Sequence, residues 1–143
     1  MAMKRFLFDS NAVTSFINRR EPFSQRVRDT RLAGFALGTC EPVVVELFYG
    51  LELSQSRDAN IIRLNHGLSR LCCWPFDRAA SREYGRIAAA LRKQGRPMQV
   101  IDMMLAAVAV SLGNCTVVTT DSDLNTIDGL SVENWDAAHT NEA

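Results

Sequence analysis

Four acidic residues stand where a chain of this pattern can bring them together. Asp9 follows the short apolar stretch Phe6-Leu7-Phe8, and Asp121 follows Cys115-Thr116-Val117-Val118-Thr119. The second stretch is rich in β-branched residues and reads as a buried strand of a parallel sheet. Carboxylates just past strand ends lie where open α/β sheets place their ligands. Asp102 falls in the first turn of an apolar helix, and it is the only charge between Pro97 and Asp121. Glu46 sits between Val45 and Leu47 on another apolar helical stretch. A carboxylate entering an apolar interior needs a partner, a proton or a metal. Three of the acids also have an ordinary reading: Asp102 as a helix-start residue, Asp121 as an N-cap, Glu46 as a surface side chain. As a group they repel, and their pKa values rise unless a cation neutralises them. Oxygen ligands without His or Cys at ligand spacing point to Mg²⁺ or Mn²⁺ rather than zinc or copper. Asp123 is an auxiliary acid. Such ions activate water and stabilise charge on a phosphate, a chemistry that needs no protein nucleophile.

The elements that must position these acids alternate along the chain. Strands are expected over residues 4–8, 34–39, 70–75, 115–119 and 130–135. Ser10 or Asn11 is expected to cap a helix over 12–19. A basic helix over 23–32 has Arg26, Arg28 and Arg31 solvated, and Pro42 opens a helix that runs to residue 53. Residues 57–69 form an amphipathic helix with Ile61, Ile62, Leu64 and Leu68 inward. Asp77 caps a helix reaching residue 93, and the apolar helix over 100–110 follows. Trp135, Met103 and Met104 read as core, and His66 and His139 are isolated. This alternation predicts a three-layer α/β/α sandwich with a mainly parallel central sheet. One domain is expected over 1–136, with a polar, frayed tail over 137–143.

The 143 residues carry no net charge, but the charge is unevenly distributed. All 16 Lys and Arg precede residue 97, against nine acids there, which gives +7. The remainder holds seven acids and no base, which gives −7. Fourteen of the bases are arginine, the side chain suited to phosphate and base recognition. One face can thus meet a polyanion while another holds a cation, unless the two segments intermix in space. The four cysteines lack zinc spacing; Cys72, Cys73 and Cys115 lie in apolar runs and are expected as buried free thiols. No signal peptide or membrane span is evident, so a cytoplasmic protein is expected.

The chain resembles the PIN-domain ribonucleases, and among them the VapC toxins of type II toxin–antitoxin systems. The matching stretches are Phe8-Asp9-Ser10-Asn11, Val45-Glu46-Leu47-Phe48-Tyr49-Gly50, Gly95-Arg96-Pro97 with Ile101 to Ala107, Val118 to Asp123, and the closing Gly129 to Trp135. The resemblance implies that Asp9, Glu46, Asp102 and Asp121 bind Mg²⁺, with Asp123 as an extra ligand. It implies that Asn11 and Thr119 or Thr120 orient them by hydrogen bonds. It further implies endonucleolytic cleavage of RNA (transfer RNA among the family's substrates), homodimerisation, and inhibition by a VapB-type antitoxin that lies across apolar grooves. Leu124 replaces an aromatic residue frequent in the family, and Cys40-Glu41-Pro42 replaces small hydroxyl residues; neither change removes a ligand. Two other enzyme classes fit less well. A haloacid-dehalogenase-like phosphatase wants Asp where Asn11 stands, and a receiver domain wants a lysine beyond Lys93. A non-catalytic PIN-like module that binds RNA or a partner is the alternative of a different class.

Overall fold

Arg5–Phe8 (β1) is enclosed along nearly its whole length, with Leu7 and Phe8 fully buried. Such a strand belongs in the middle of a parallel sheet covered on both faces. The computed structural model describes residues 3–137. After β1 come α1 (Ser10–Ile17), α2 (Phe23–Leu32), β2 (Ala36–Cys40), α3 (Glu41–Glu52) and α4 (Arg57–Leu68). Then follow β3 (Cys72–Trp74), α5 (Arg78–Lys93), α6 (Val100–Leu112), β4 (Cys115–Val118), a 3-10 turn (Ser122–Thr126) and β5 (Ser131–Glu133). The strand order is β3-β2-β1-β4-β5, and every neighbouring pair is parallel, so the sheet is wholly rather than mainly parallel.

From β1 the chain steps outward to β2 and β3, then returns past β1 to β4 and β5. Right-handed crossovers in opposite directions place their helices on opposite faces. Accordingly α1, α2, α3 and α4 pack among themselves, and α5 packs along α6. The result is the expected three-layer α/β/α sandwich. The strand order reverses between β1 and β4, and the crevice at such a reversal is the usual ligand position. α3 also touches α6, which draws the second acidic helix stretch toward the first.

Phe8, Phe16, Phe23 and Trp135 form an aromatic cluster with ring centroids 5.3–6.0 Å apart, and Trp135 is 1% exposed. Met103 and Met104 are only half-buried. Arg26 is not solvated: its Nη2 donates to Glu133 Oε1 at 2.8 Å, and that oxygen also accepts from Trp135 Nε1. Arg31 is exposed, as expected, and its Nη2 donates to the carbonyl of Arg70. Ile62 points outward, 70% exposed. Gly67 explains the rotation, because a Cβ there would meet Ile17 Cγ1 at 2.5 Å. The bare Gly67 face lets α4 settle on α1, and Leu64, one turn back, is buried with it, which leaves Ile62 on the far side. Cys72 and Cys73 are exposed and Cys115 is half-buried, whereas Cys40 is fully buried. The apolar run around Cys72 misleads because β3 is an edge strand. The polar tail and His139 lie outside the described residues, apart from Ala137.

Candidate active site

The register of the two central strands sets the site. β1 and β4 pair with Phe8 opposite Val118, so Asp9 and Thr119 emerge side by side at the carboxyl edge. Thr119 Oγ1 donates to Asp9 Oδ2 at 2.5 Å. Asp9 Oδ1 accepts the backbone N–H of Ala12 at 2.8 Å, so Asp9 itself is the N-cap of α1, in place of Ser10 or Asn11. An extended residue at a strand end is well placed for that duty. Burial pushes the Asp9 carboxyl above the ordinary aspartate range. The hydrogen bonds from Thr119 and Ala12 oppose that rise, and the charges of Asp136 and Asp121 add to it.

Asp102 enters from the other helical layer, in the first turn of α6. Its carboxyl is also raised, first by burial and then by the charges of Asp121, Glu46, Asp9 and Asp123. Asp102 thus feels all four other acids singled out in the sequence. Asp9, Glu46, Asp102 and Asp121 line one cleft of about 150 Å³, together with Asn11 and Gln99. Asp123 and Thr120 are exposed and do not line it. Asp121 caps the 3-10 turn by accepting the N–H of Asp123, while its own N–H donates to Thr119 Oγ1. The capping reading of Asp121 and its place in the cleft therefore both hold.

Two residues were missed by the sequence reasoning. Ser10 Oγ donates to Glu46 Oε1 at 2.5 Å, which ties α1 to α3 across the cleft. Ser10 follows a strand-end acid, so the expectation that it caps the helix hides its actual use. Asp136 adds to the field at Asp9 and is held by Ser15, and only the burial of the preceding Trp135 signals that the chain is fixed there.

The donor set is oxygen only. Among the described residues no Arg, Lys or His forms an ion pair with Asp9, Glu46, Asp102 or Asp121. Repulsive acids without a protein counter-charge suit a divalent cation. Among the described residues no three potential ligands converge closely enough to enclose one ion. An oxygen-only set suits a hydrated hard cation, which takes one or two carboxylates and keeps several waters. It does not fit a stripped four-ligand zinc site.

The family profile described as PIN domain matches residues 6–130. Over 133 residues the chain is 32% identical to the tRNA(fMet)-specific endonuclease VapC of Shigella flexneri, covering 93% of this chain and 99% of that protein. It is equally identical, over the same shares, to Ribonuclease VapC2 of Haemophilus influenzae. Among solved structures it resembles VapBC2 from Rickettsia felis bound to a promoter DNA fragment (TM-score 0.85, 25% identity, 92% of this chain and 99% of that one). DNA-bound VapBC from Salmonella typhimurium is similar, with TM-score 0.84, 27% identity, and 93% and 99% covered.

Proposed function

The chain belongs to the PIN-domain family, and from that membership we propose that it is a Mg²⁺-dependent endoribonuclease, the toxin of a toxin–antitoxin pair. The observation that carries the reading is the cleft in which Asp9, Glu46, Asp102 and Asp121 meet without a basic partner among the described residues. Those four would share the ion, one or two bound to it directly and the others through its waters, with Asp123 a further acid whose charge reaches Asp102. Mg²⁺, or Mn²⁺ in its place, supplies a water of lowered pKa and a counter-charge for the phosphate when bound. The chain's own work is alignment. Thr119 and the start of α1 fix both oxygens of Asp9, Ser10 fixes Glu46, and the first turn of α6 presents Asp102 with the helix dipole behind it.

RNA is the proposed substrate, supported by the ribonuclease names of the relatives and by the arginine-rich portion of the chain. A VapB-type antitoxin is the proposed partner, supported by the VapBC assemblies of the similar structures. A groove of about 200 Å³ between α1, α3 and α4, lined by Ile17, Leu47, Leu51 and Leu64 together with Thr14, Asn18, Asn60 and Arg63, offers it a seat. Pairing of two copies is part of the reading. Val45, Tyr49 and Leu53 support it, forming an exposed apolar stripe at four-residue spacing along α3. No helix among the described residues is long and apolar enough to cross a membrane.

The test is cleavage of total cellular RNA by the purified protein with Mg²⁺, with EDTA, and with Asp102→Asn. Discrete fragments are expected that require metal and that fall by about two to three orders of magnitude in the variant. Cleavage indifferent to both EDTA and the variant would remove the acidic site from the mechanism. A folded protein that cuts no RNA and gains no stability with Mg²⁺ would return the non-catalytic binding module.

A further inference from the structure

A second cavity, of about 290 Å³, is lined in part by Met103 of α6, the residue that follows Asp102 of the acid cleft. Its floor is formed by Ala88, Leu91, Met98 and Met103, and its rim carries Arg92 and Arg96. Residues next to one another in the chain line the two cavities. Asp102 and Gln99 line the acid cleft, and their immediate neighbours Met103 and Met98 line this one. Successive helical residues turn by about 100°, so Asp102 and Met103 look out of adjoining faces of a single turn.

The charge pattern along the chain changes sign between the two linings. Arg96 is the last basic residue of the chain, and Asp102 is the next charge after it. Among the described residues neither Arg92 nor Arg96 forms an ion pair with an acid. A cluster of carboxylates repels a polyanion, so a nucleic-acid strand crossing the cleft must be held from beside it. The cavity has the composition for that task. Two polarisable thioethers and apolar carbons suit the face of an aromatic base, and a guanidinium can stack on a base or grip a phosphate with paired N–H groups.

We propose that this cavity is a nucleotide subsite. It takes the base of the RNA residue adjoining the one whose phosphate lies over the acids, with Arg92 and Arg96 on the backbone phosphate. The assignment rests on the ribonuclease reading above, and it adds where the strand runs and which side chains select its sequence.

The test is fluorescence anisotropy of a labelled short single-stranded RNA of mixed sequence with the full chain in EDTA, across a salt series. The proteins are wild type, the double variant Arg92→Gln/Arg96→Gln, and Ala88→Phe, which fills the floor. Cleavage maps with Mg²⁺ are taken in parallel. The double variant, altered only at exposed positions, is expected to bind about tenfold more weakly and to flatten the salt slope by about 0.7 per arginine. Ala88→Phe is expected to change which nucleotide is preferred beside the cut. If wild type cleaves RNA and the double variant matches it in affinity, slope and cleavage map, the subsite is wrong and the nuclease stands. If the double variant instead changes the oligomeric state with no change in RNA affinity, the cavity is a protein interface and the subsite is again wrong. If wild type neither binds nor cuts RNA, the ribonuclease reading fails and takes the subsite with it.

Discussion

At the residue scale, the cleft works by restraining acids that would otherwise move apart. The Thr119 hydroxyl does this for Asp9, and the Ser10 hydroxyl does it for Glu46. Neither hydroxyl belongs to the acid cluster, yet each holds one oxygen of a carboxylate in place. Outer partners of metal ligands typically contribute a factor of 10–100 to affinity or activity. Ser10→Ala is therefore expected to raise the Mg²⁺ concentration for half-maximal cleavage by about tenfold. Its melting temperature should stay near that of wild type, because Ser10 is only half-buried and its neighbours lose no packing. A metal titration of cleavage, paired with a melting curve, checks both parts. An unchanged titration would mean that Glu46 holds its position without the serine.

At the scale of elements, the sheet depends on one close approach at its edge. A Cβ on Gly38 would meet the carbonyl oxygen of Cys72 at 2.6 Å and the Trp74 ring at 2.8 Å. The ring edge can tilt, but the backbone oxygen of a paired strand cannot retreat without opening the β2–β3 ladder. Gly38→Ala is expected to cost about 1–3 kcal/mol, a fall in melting temperature of roughly 5–10 °C measured by calorimetry. Requirements of this kind explain what could and could not be foreseen from the residue order. Phe23–Leu32 is found within the bounds expected of it, between Pro22 and the positive-φ Gly34. The alternation of strands and helices sufficed for the three layers. The four acids were singled out by type and position alone, and the register of β1 with β4 and the contact of α3 with α6 then bring them into one cleft. Local pattern was silent wherever a distant partner decides the outcome. The edge position of β3 exposes Cys72 and Cys73, Gly67 turns Ile62 outward, and Glu133 draws in Arg26 from far along the chain. Ser10 was mistaken for a cap because Asp9, one residue earlier, performs that task.

At the scale of the whole molecule, the site opposes the fold that builds it. Asp9 and Asp102 are both held above the ordinary aspartate range, so folding favours their protonated forms. The stability they contribute is present in full below the unfolded aspartate pKa, near 3.9, and is lost as the pH rises through each raised value. In EDTA at neutral pH, Asp102→Asn is thus expected to melt a few degrees above wild type, with the gap narrowing as the pH falls toward about 4. Millimolar Mg²⁺ should close or reverse that order, because only the folded wild type assembles the complete acid set. Thermal scans over pH with and without Mg²⁺ measure it, and a variant that melts lower in EDTA at pH 7 would contradict it. The same assembly has a consequence for how the protein is made. β1 sits at the centre of the sheet, and its partner strand β4 begins at Cys115, opposite Arg5. At about 5–20 residues per second of synthesis, roughly 5–20 seconds separate the two on the ribosome. A nascent chain can complete β1, β2 and β3 in that interval, but it has no cleft. A ribosome that stalls before β4 therefore releases a fragment without the cleft, which closes only after Asp121 has been made.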